Sequence, residues 1–242
     1  MALLGKGALV IWHDPAPEIE RDYNEWHSKE HMLERVGVPG FLRGQRGVAI
    51  TGAPKYFNFY EVDDFATLTS KAYLDRLNDP TPWTRRVVPH MHNNSRTLCR
   101  VSASFGAAVP ALWTMVLVSP AAGGDERLRT WLAQSALPRL LDRQGVLGAH
   151  LIEGERTTSG TETAEKRLRS GGTEFVDWVI LVGGYDNEAL ARVGATVLSE
   201  GNLAAQGAAA SRIRGIYRFV HCVSKADLPV HLTTGRPAGS AA

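Results

Sequence analysis

The stretch YNEWHSKEHMLERVGVPGF, residues 23–41, carries a helical pattern into a Pro-Gly stop and on toward a strand; what flanks it decides the fold. Before it, residues 7–13 (GALVIWH) read as a strand, and helical periodicity runs over 16–36 after a Pro-rich start. Val38-Pro39-Gly40 ends the helix, because proline disfavours helical geometry in the residue before it and glycine tolerates a left-handed turn. Beyond the stop, 41–50 and 56–62 (YFNFYEV) read as a strand pair joined around Thr51-Gly52-Ala53-Pro54. A second helix follows over 65–77, and a fourth strand over 95–104 (SRTLCRVSAS).

The rest of the chain repeats this order, with a strand at 111–118, a helix at 125–143, strands at 146–153 and 175–183, a helix at 187–199 and a strand at 211–223. Local words agree: VPGFLRG (38–44) corresponds to VLGAHLI (146–152), DDFATL (63–68) to YDNEAL (185–190), and both SRTLCRV and SRIRGIYRFVHCV close their halves. A βαββαβ unit is the ferredoxin-like motif, and two in one chain can pack sheet against sheet. The expected fold class is therefore α+β: two tandem ferredoxin-like units, 1–106 and 107–225, forming an intrachain barrel with antiparallel sheets and the helices outside. The second unit is ruptured by ERTTSGTETAEKRLRSGG (155–172), polar and Gly-rich, which reads as a long loop. Residues 226–242 read as an extended or disordered tail.

Composition narrows the function. With 44% hydrophobic and 21% charged residues and a formal net charge of +2, the 242-residue chain reads as an ordinary globule without an electrostatic footprint for nucleic acid. Cys99 and Cys222 lie far apart and in no CxxC motif, which argues against a disulfide framework and a thiolate metal site and leaves a bridge between them open. The start lacks the order of a signal peptide and no apolar run suits a membrane span, so the expected location is the cytoplasm.

On a regular helix, Ile19, Tyr23, Trp26, Leu33 and Val36 share one face. Glu30 falls inside that apolar stripe, with His27 at its edge and His31 further toward the polar side. A carboxylate among aromatic and aliphatic groups is either paired, with Arg43 or Arg46, or desolvated toward a pKa suited to proton transfer. His27, Glu30 and His31 are accordingly the candidate catalytic residues, with Tyr23 and Trp26 beside them. Tyr56, Asn58 and Tyr60 alternate on one strand face, so Tyr56 or Tyr60 could meet His27. Arg43 could bind a substrate carboxylate or neutralise Glu30, and His90, in the segment before the fourth strand, could cover the pocket mouth. H-x-x-E-H also matches the inverted zincin pattern, but no third ligand is evident and no metal is expected. Nor does a Gly-rich phosphate cradle stand between a strand and a helix, so no nucleotide cofactor is expected.

Tyr23, Trp26-His27, His31 and Val38-Pro39-Gly40-Phe41, followed by a strand ending before Tyr56, resemble the EthD-like branch of the dimeric α+β barrel superfamily, with Leu33 where proline is often found. The resemblance covers residues 6–105. Setting Trp131 against Trp26 places Leu132 opposite His27, Ser135 opposite Glu30 and Ala136 opposite His31, so one site per chain is implied, with a degenerate, structural second unit. The superfamily is cofactor-poor and includes muconolactone isomerases, polyketide cyclases and quinone-forming monooxygenases, alongside haem-binding members. The resemblance thus implies a pocket between sheet and helices for small aromatic, lactone or polyketide-like molecules. The expected function is a cofactor-independent acid/base enzyme of isomerase, cyclase or dehydratase type. The alternatives are a non-enzymatic ligand-binding or structural barrel, and a metal-dependent hydrolase or oxygenase using the two helix histidines. Neither nucleic acid nor membrane is an expected partner. Duplication could satisfy the barrel within one chain, and the remaining edges and helix faces leave room for a homodimer.

Overall fold

The alternation in residues 7–13 becomes strand β1 (Gly7–Pro15), which turns Ala8, Val10 and Trp12 into one apolar cluster and Leu9 and Ile11 into another. The computed structural model describes residues 3–229. A helix, α1, follows as Glu20–Trp26, a π turn over His27–His31, and Met32–Gly37. Next come β2 (Phe41–Gly52), β3 (Tyr56–Val62), α2 (Lys71–Asn78), α3 (Pro82–Val87) and β4 (Met91–Gly106). The second unit runs β5 (Leu112–Pro120), then α4 as Asp125–Trp131, a π turn over Leu132–Ala136, and Leu137–Leu140. It continues with β6 (Val146–Gly154), α5 (Arg156–Ser159), α6 (Ala164–Leu168), β7 (Trp178–Gly184), α7 (Asn187–Ala195), α8 (Glu200–Ala205) and β8 (Ala208–Ser224).

The strands close into a ring, β1-β3-β2-β8-β5-β7-β6-β4, with every pairing antiparallel. Each unit contributes a ferredoxin-like sheet, and the β2–β8 and β4–β6 pairings weld the two. The fold is the expected α+β barrel. Closure leaves no strand edge within the ring, and unpaired edges are where sheets invite unwanted pairing. The lumen is filled by Trp12, Phe57, Phe59, Trp113, Met115 and Tyr217, so it is a packed core and not a pore. The other sheet faces carry the helices: α1 and α2 over the first unit, α4 and α7 over the second.

The repeat reaches the level of helix defects. Both long helices contain a five-residue π turn, in which the Met32 N–H donates to the His27 carbonyl and the Leu137 N–H to the Leu132 carbonyl. The Trp26–Trp131 correspondence therefore holds, but the register of the following strand needs correcting. Gly40 (φ 86°) and Gly145 (φ 88°) occupy the same left-handed turn, so Phe41 pairs with Val146 as the strand start, three positions from the match that the words VPG and VLG suggest. Lys225 secures the end of α1 by donating to the carbonyls of Val36, Gly37 and Val38, a favourable place for a cation at the negative end of a helix.

Segment 155–172, expected as a loop, instead carries α5 and α6. It is pinned to the first unit: the Leu98 N–H donates to Ser159 Oγ, the Ala164 N–H to Asn78 Oδ1, and Ser170 Oγ to the Met91 carbonyl. Of the expected tail, Asp227 ends a short turn begun at Lys225 and Leu228 is buried; residues 230–242 lie outside the described residues. Cys99 and Cys222 are unbridged, the first buried in the lumen and the second exposed. No helix among the described residues is long and apolar enough to cross a membrane.

Gly40 has the positive φ that an L side chain rarely adopts, and a Cβ there would lie 2.4 Å from Thr67 Oγ1. Gly40→Ala should lower unfolding free energy by about 1–3 kcal/mol in urea titration, the usual cost of a left-handed non-glycine residue.

Candidate functional site

The π turn decides which side chains of α1 face the sheet. A turn that closes at the fifth residue instead of the fourth takes in one extra residue, and sets everything after it back by about 100° relative to a regular helix. His27 and His31 therefore both come onto the buried face, and beyond the turn Met32 and Arg35 join Val36 as buried residues while Leu33 is only partly buried. Glu30 is carried out of the stripe to a half-buried position, contrary to its expected place among the apolar groups. There it accepts a hydrogen bond from Thr81 Oγ1 (2.6 Å), the N-cap of α3, and is not in the lining of the cavity that the histidines share.

Beneath the π turn, a cavity of about 20 Å³ lies between α1 and the sheet. Its polar lining is His13 from the end of β1, His27 and His31 from α1, Asn58 and Tyr60 from β3, and Asn94 from β4; Trp26, Ile11, Val88 and Met91 make its apolar wall. Glu165 and Arg169, from α6 and just beyond it, close it from the second unit. The volume suits about one water molecule. The ring of His27 lies 5.7 Å from that of His31, and its Nε2 is 3.5 Å from Tyr60 Oη. Trp26 packs at 4.2 Å against His31 and donates its Nε1–H to Thr84 Oγ1 (3.2 Å), which fixes the indole as a wall. A register shift in the β1–β4 pairing between Trp12 and Asp14 lies beside His13, the kind of irregularity that re-aims side chains next to sites.

Among the described residues, several buried polar atoms here find no hydrogen-bond partner: both ring nitrogens of His13, Nδ1 of His27, Nδ1 of His31 and Oδ1 of Asn58. Buried polar atoms are normally satisfied, so such a cluster marks a place where a ligand or water completes the bonding. Burial holds the imidazoles neutral. It pushes His13 down to about 3, with Arg169 adding to the effect, and holds His27 and His31 well below the ordinary histidine range, with Arg46 the main neighbouring charge for His27 and Arg35 for His31. Burial pushes the Tyr60 hydroxyl up, so it remains a phenol that donates.

The other expected site residues disperse. Tyr23 is buried beside the cavity, its ring 5.6 Å from His27 and 5.1 Å from His13, and receives an Asn58 Nδ2–H at 3.5 Å. Tyr56 donates to Glu20 Oε1 (2.8 Å) at the rim of α1 and is not part of the lining. Arg43 points into the barrel, on the opposite sheet face from His27, and pairs with Glu61 (2.6 Å) and not with Glu30. Arg46, on the helix-facing side, stands over the Tyr23 ring at 6.0 Å. His90 is exposed and is not in the cavity lining; its backbone carbonyl accepts from the Ala16 N–H. Among the described residues, no group of three His, Cys, Asp or Glu side chains is placed to hold a metal ion.

No protein-family model matches the chain, and no curated protein does. Solved structures match its fold. A candidate monooxygenase from Fusobacterium nucleatum aligns with a TM-score of 0.57 at 11% identity, covering 92% of this chain and 96% of that one. An anthrone oxidase-like protein aligns at 0.55 and 13% identity, covering 97% and 96%. A candidate chlorite dismutase aligns at 0.50 and 10% identity, covering 90% and 96%. At such identities the likeness is one of fold, an α+β barrel of ferredoxin-like units.

Residues that sequence reading did not select complete the site: His13, Arg35, Glu165 and Arg169. Arg35 and Glu165 form a fully buried ion pair, and Arg169 reaches the other carboxylate oxygen at 3.4 Å. Removing one partner of a buried pair strands the other charge, so Glu165→Ala should cost about 3–5 kcal/mol in urea unfolding, whereas Glu30→Gln should cost under about 1 kcal/mol. The neutral histidines set a pH dependence. Below the ordinary pKa of 6.5 the unfolded chain takes up protons that the buried imidazoles of His13, His27 and His31 refuse. Stability should therefore fall as pH drops below that value, by about 1.4 kcal/mol per pH unit for each such group. Unfolding titrations at pH 7.5, 6.5 and 5.5 should show this fall, and His13→Gln should flatten it.

Proposed function

We propose that the chain is an enzyme that moves a proton on a small, mostly hydrophobic aromatic, lactone or polyketide-like molecule bound beneath α1, with His27 as the base. The observation that carries this reading is the cluster of neutral, buried imidazoles with unpartnered ring nitrogens around one cavity, beside the Tyr60 hydroxyl. A neutral imidazole is ready to accept a proton near pH 7. Because burial and Arg46 oppose its protonation, His27 suits substrates whose conjugate base is itself stabilised, such as phenols or carbons next to carbonyls. Tyr60 and Asn58 would hold the oxygen on which negative charge develops. His31 and Trp26 would orient the ring of the substrate. Glu30 has no part in this set, and the second unit, with Leu132 and Ala136 in the matching positions, would serve as scaffold and cover.

The pattern at residues 23–41 supports placing the chain with the EthD-like branch. A second reading draws on the likeness to a candidate monooxygenase and an anthrone oxidase-like protein: the same proton removal, followed by reaction of the substrate anion with dioxygen. A panel of anthrones, phenols and aromatic lactones incubated in D2O, under air and under argon, separates the two. An isomerised, cyclised or dehydrated product in both atmospheres fits acid/base catalysis, and turnover with oxygen uptake only under air, with no more than deuterium exchange under argon, fits the second reading. In either case His27→Ala should slow turnover by about 10²–10⁴-fold, the usual worth of a positioned base. Unchanged turnover in that variant would overturn the assignment of His27.

A further inference from the structure

We infer that this pocket takes a small aromatic anion whose charged group replaces the Glu165 carboxylate between Arg35 and Arg169. The inference rests on the reading of the cavity as a substrate site and adds the chemical class of the ligand and the group it displaces. As it stands the cavity holds no more than a water, so a substrate must move something, and most of its lining belongs to the sheet and the long helix α1. Glu165 and Arg169 come instead from the insert between β6 and β7.

The charges around Glu165 favour an anion. Its carboxylate bridges Arg35 and Arg169, so two guanidinium groups meet one buried carboxylate, and a third, Arg46, adds positive charge near His27. Glu34, half-buried and 3.9 Å from Arg76, is the other carboxylate close to Arg35. Arg35 is 97% buried and engages Glu165 through Nη2 alone, leaving Nη1 without a partner. A planar carboxylate binding side-on would satisfy both ends of the guanidinium, which Glu165, divided between two arginines, does not. Glu165 thus occupies the position of a substrate's charged group.

An access route of matching charge adjoins it. Outside the insert lies a cleft of about 480 Å³, within the range of small-molecule sites, lined by Arg96, Arg156, Lys166 and Arg169 with Glu162 and Phe175 among its other walls. Arg169 borders both this cleft and the inner cavity. An anion held in the cleft by Arg169 is one side chain away from the position of Glu165. The insert is attached by short helices and a few hydrogen bonds, whereas the sheet beneath is continuous, so the insert is the element that can yield.

The test is calorimetric titration with benzoate and with benzamide, its neutral counterpart of the same shape. Glu165→Gln removes the internal anion and should bind benzoate about tenfold more tightly than the unaltered chain, with no comparable gain for benzamide, and Arg169→Met added to it should cancel the gain. No gain for benzoate, or an equal gain for benzamide, overturns the inference. If Glu165→Gln does not fold, the unaltered protein decides: benzoate should speed amide hydrogen exchange across 160–172 while benzamide does not, and identical protection with both overturns it. Benzoate binding that Glu165→Gln tightens, together with turnover indifferent to His27→Ala, would end the proton-transfer reading alone. His27-dependent turnover of a neutral substrate without benzoate binding would end this inference alone.

Discussion

The phase of one helix governs what this protein can do. Within α1 the carbonyl of His27 is met by the N–H five residues on, and that wider turn brings both histidines onto the sheet-facing side while it turns Glu30 toward Thr81. Straighten the helix and the apolar face would receive a carboxylate in place of the second imidazole. The same turn recurs at Leu132–Ala136, where no polar residue benefits from it and where Leu132 and Ala136 are core. The π turn is thus a property of the repeated unit, a consequence of laying this helix over this sheet, and the histidines of the first unit exploit a geometry they did not create.

The duplication then divides the labour. Ring closure demands two sheets with equivalent strand orders, which both units supply, but it demands nothing of the helices' polar faces. The second unit packs its matching face with leucine, valine and alanine, and its insert between β6 and β7 brings Glu165 and Arg169 to the cavity under α1. The segment leading back from the insert is tied to β4 at Glu174, whose N–H donates to the Asn94 carbonyl and whose carbonyl accepts from the Arg96 N–H.

How far the sequence reveals this follows from the range of each interaction. Strand alternation, the Pro-Gly stop and the repeated order are local, and they suffice for the barrel. Tyr60 near His27 is legible too, because strand parity and helix spacing both operate over a few residues. The π turn is not legible, since a five-residue turn leaves no mark in a hydrophobic pattern read at regular spacing, and so Glu30 looks central when it is peripheral. Arg35 and Glu165 are 130 positions apart, and nothing in a polar, Gly-rich segment announces that one of its glutamates will be buried. The faint signal is Thr163 ahead of AEKRL, an N-cap and a helical word inside what otherwise reads as loop. His13 is the most recoverable omission: it continues the parity of Leu9 and Ile11, and a histidine at the end of a buried strand has to be desolvated.

The electrostatics of the cavity link its two halves. Burial would push each guanidinium toward neutrality, and it does so for Arg169, which falls to about 10 despite Glu165. For Arg35 burial also opposes the charge, but Glu165, with Tyr73 and Tyr60, outweighs it and raises the pKa. The one carboxylate therefore sustains the charge on Arg35 and partly offsets the positive field that adds to burial in keeping the imidazoles unprotonated. Withdraw it without replacement and two buried cations repel each other across the cavity while the histidines become weaker bases still. Exchange it for another anion of like charge and the field at His27 would barely change, so on the proposed function the candidate base would stay neutral with a ligand in place. On that reading, a pocket that carries its own carboxylate would set the charge of the ligand it can admit without disturbing His27.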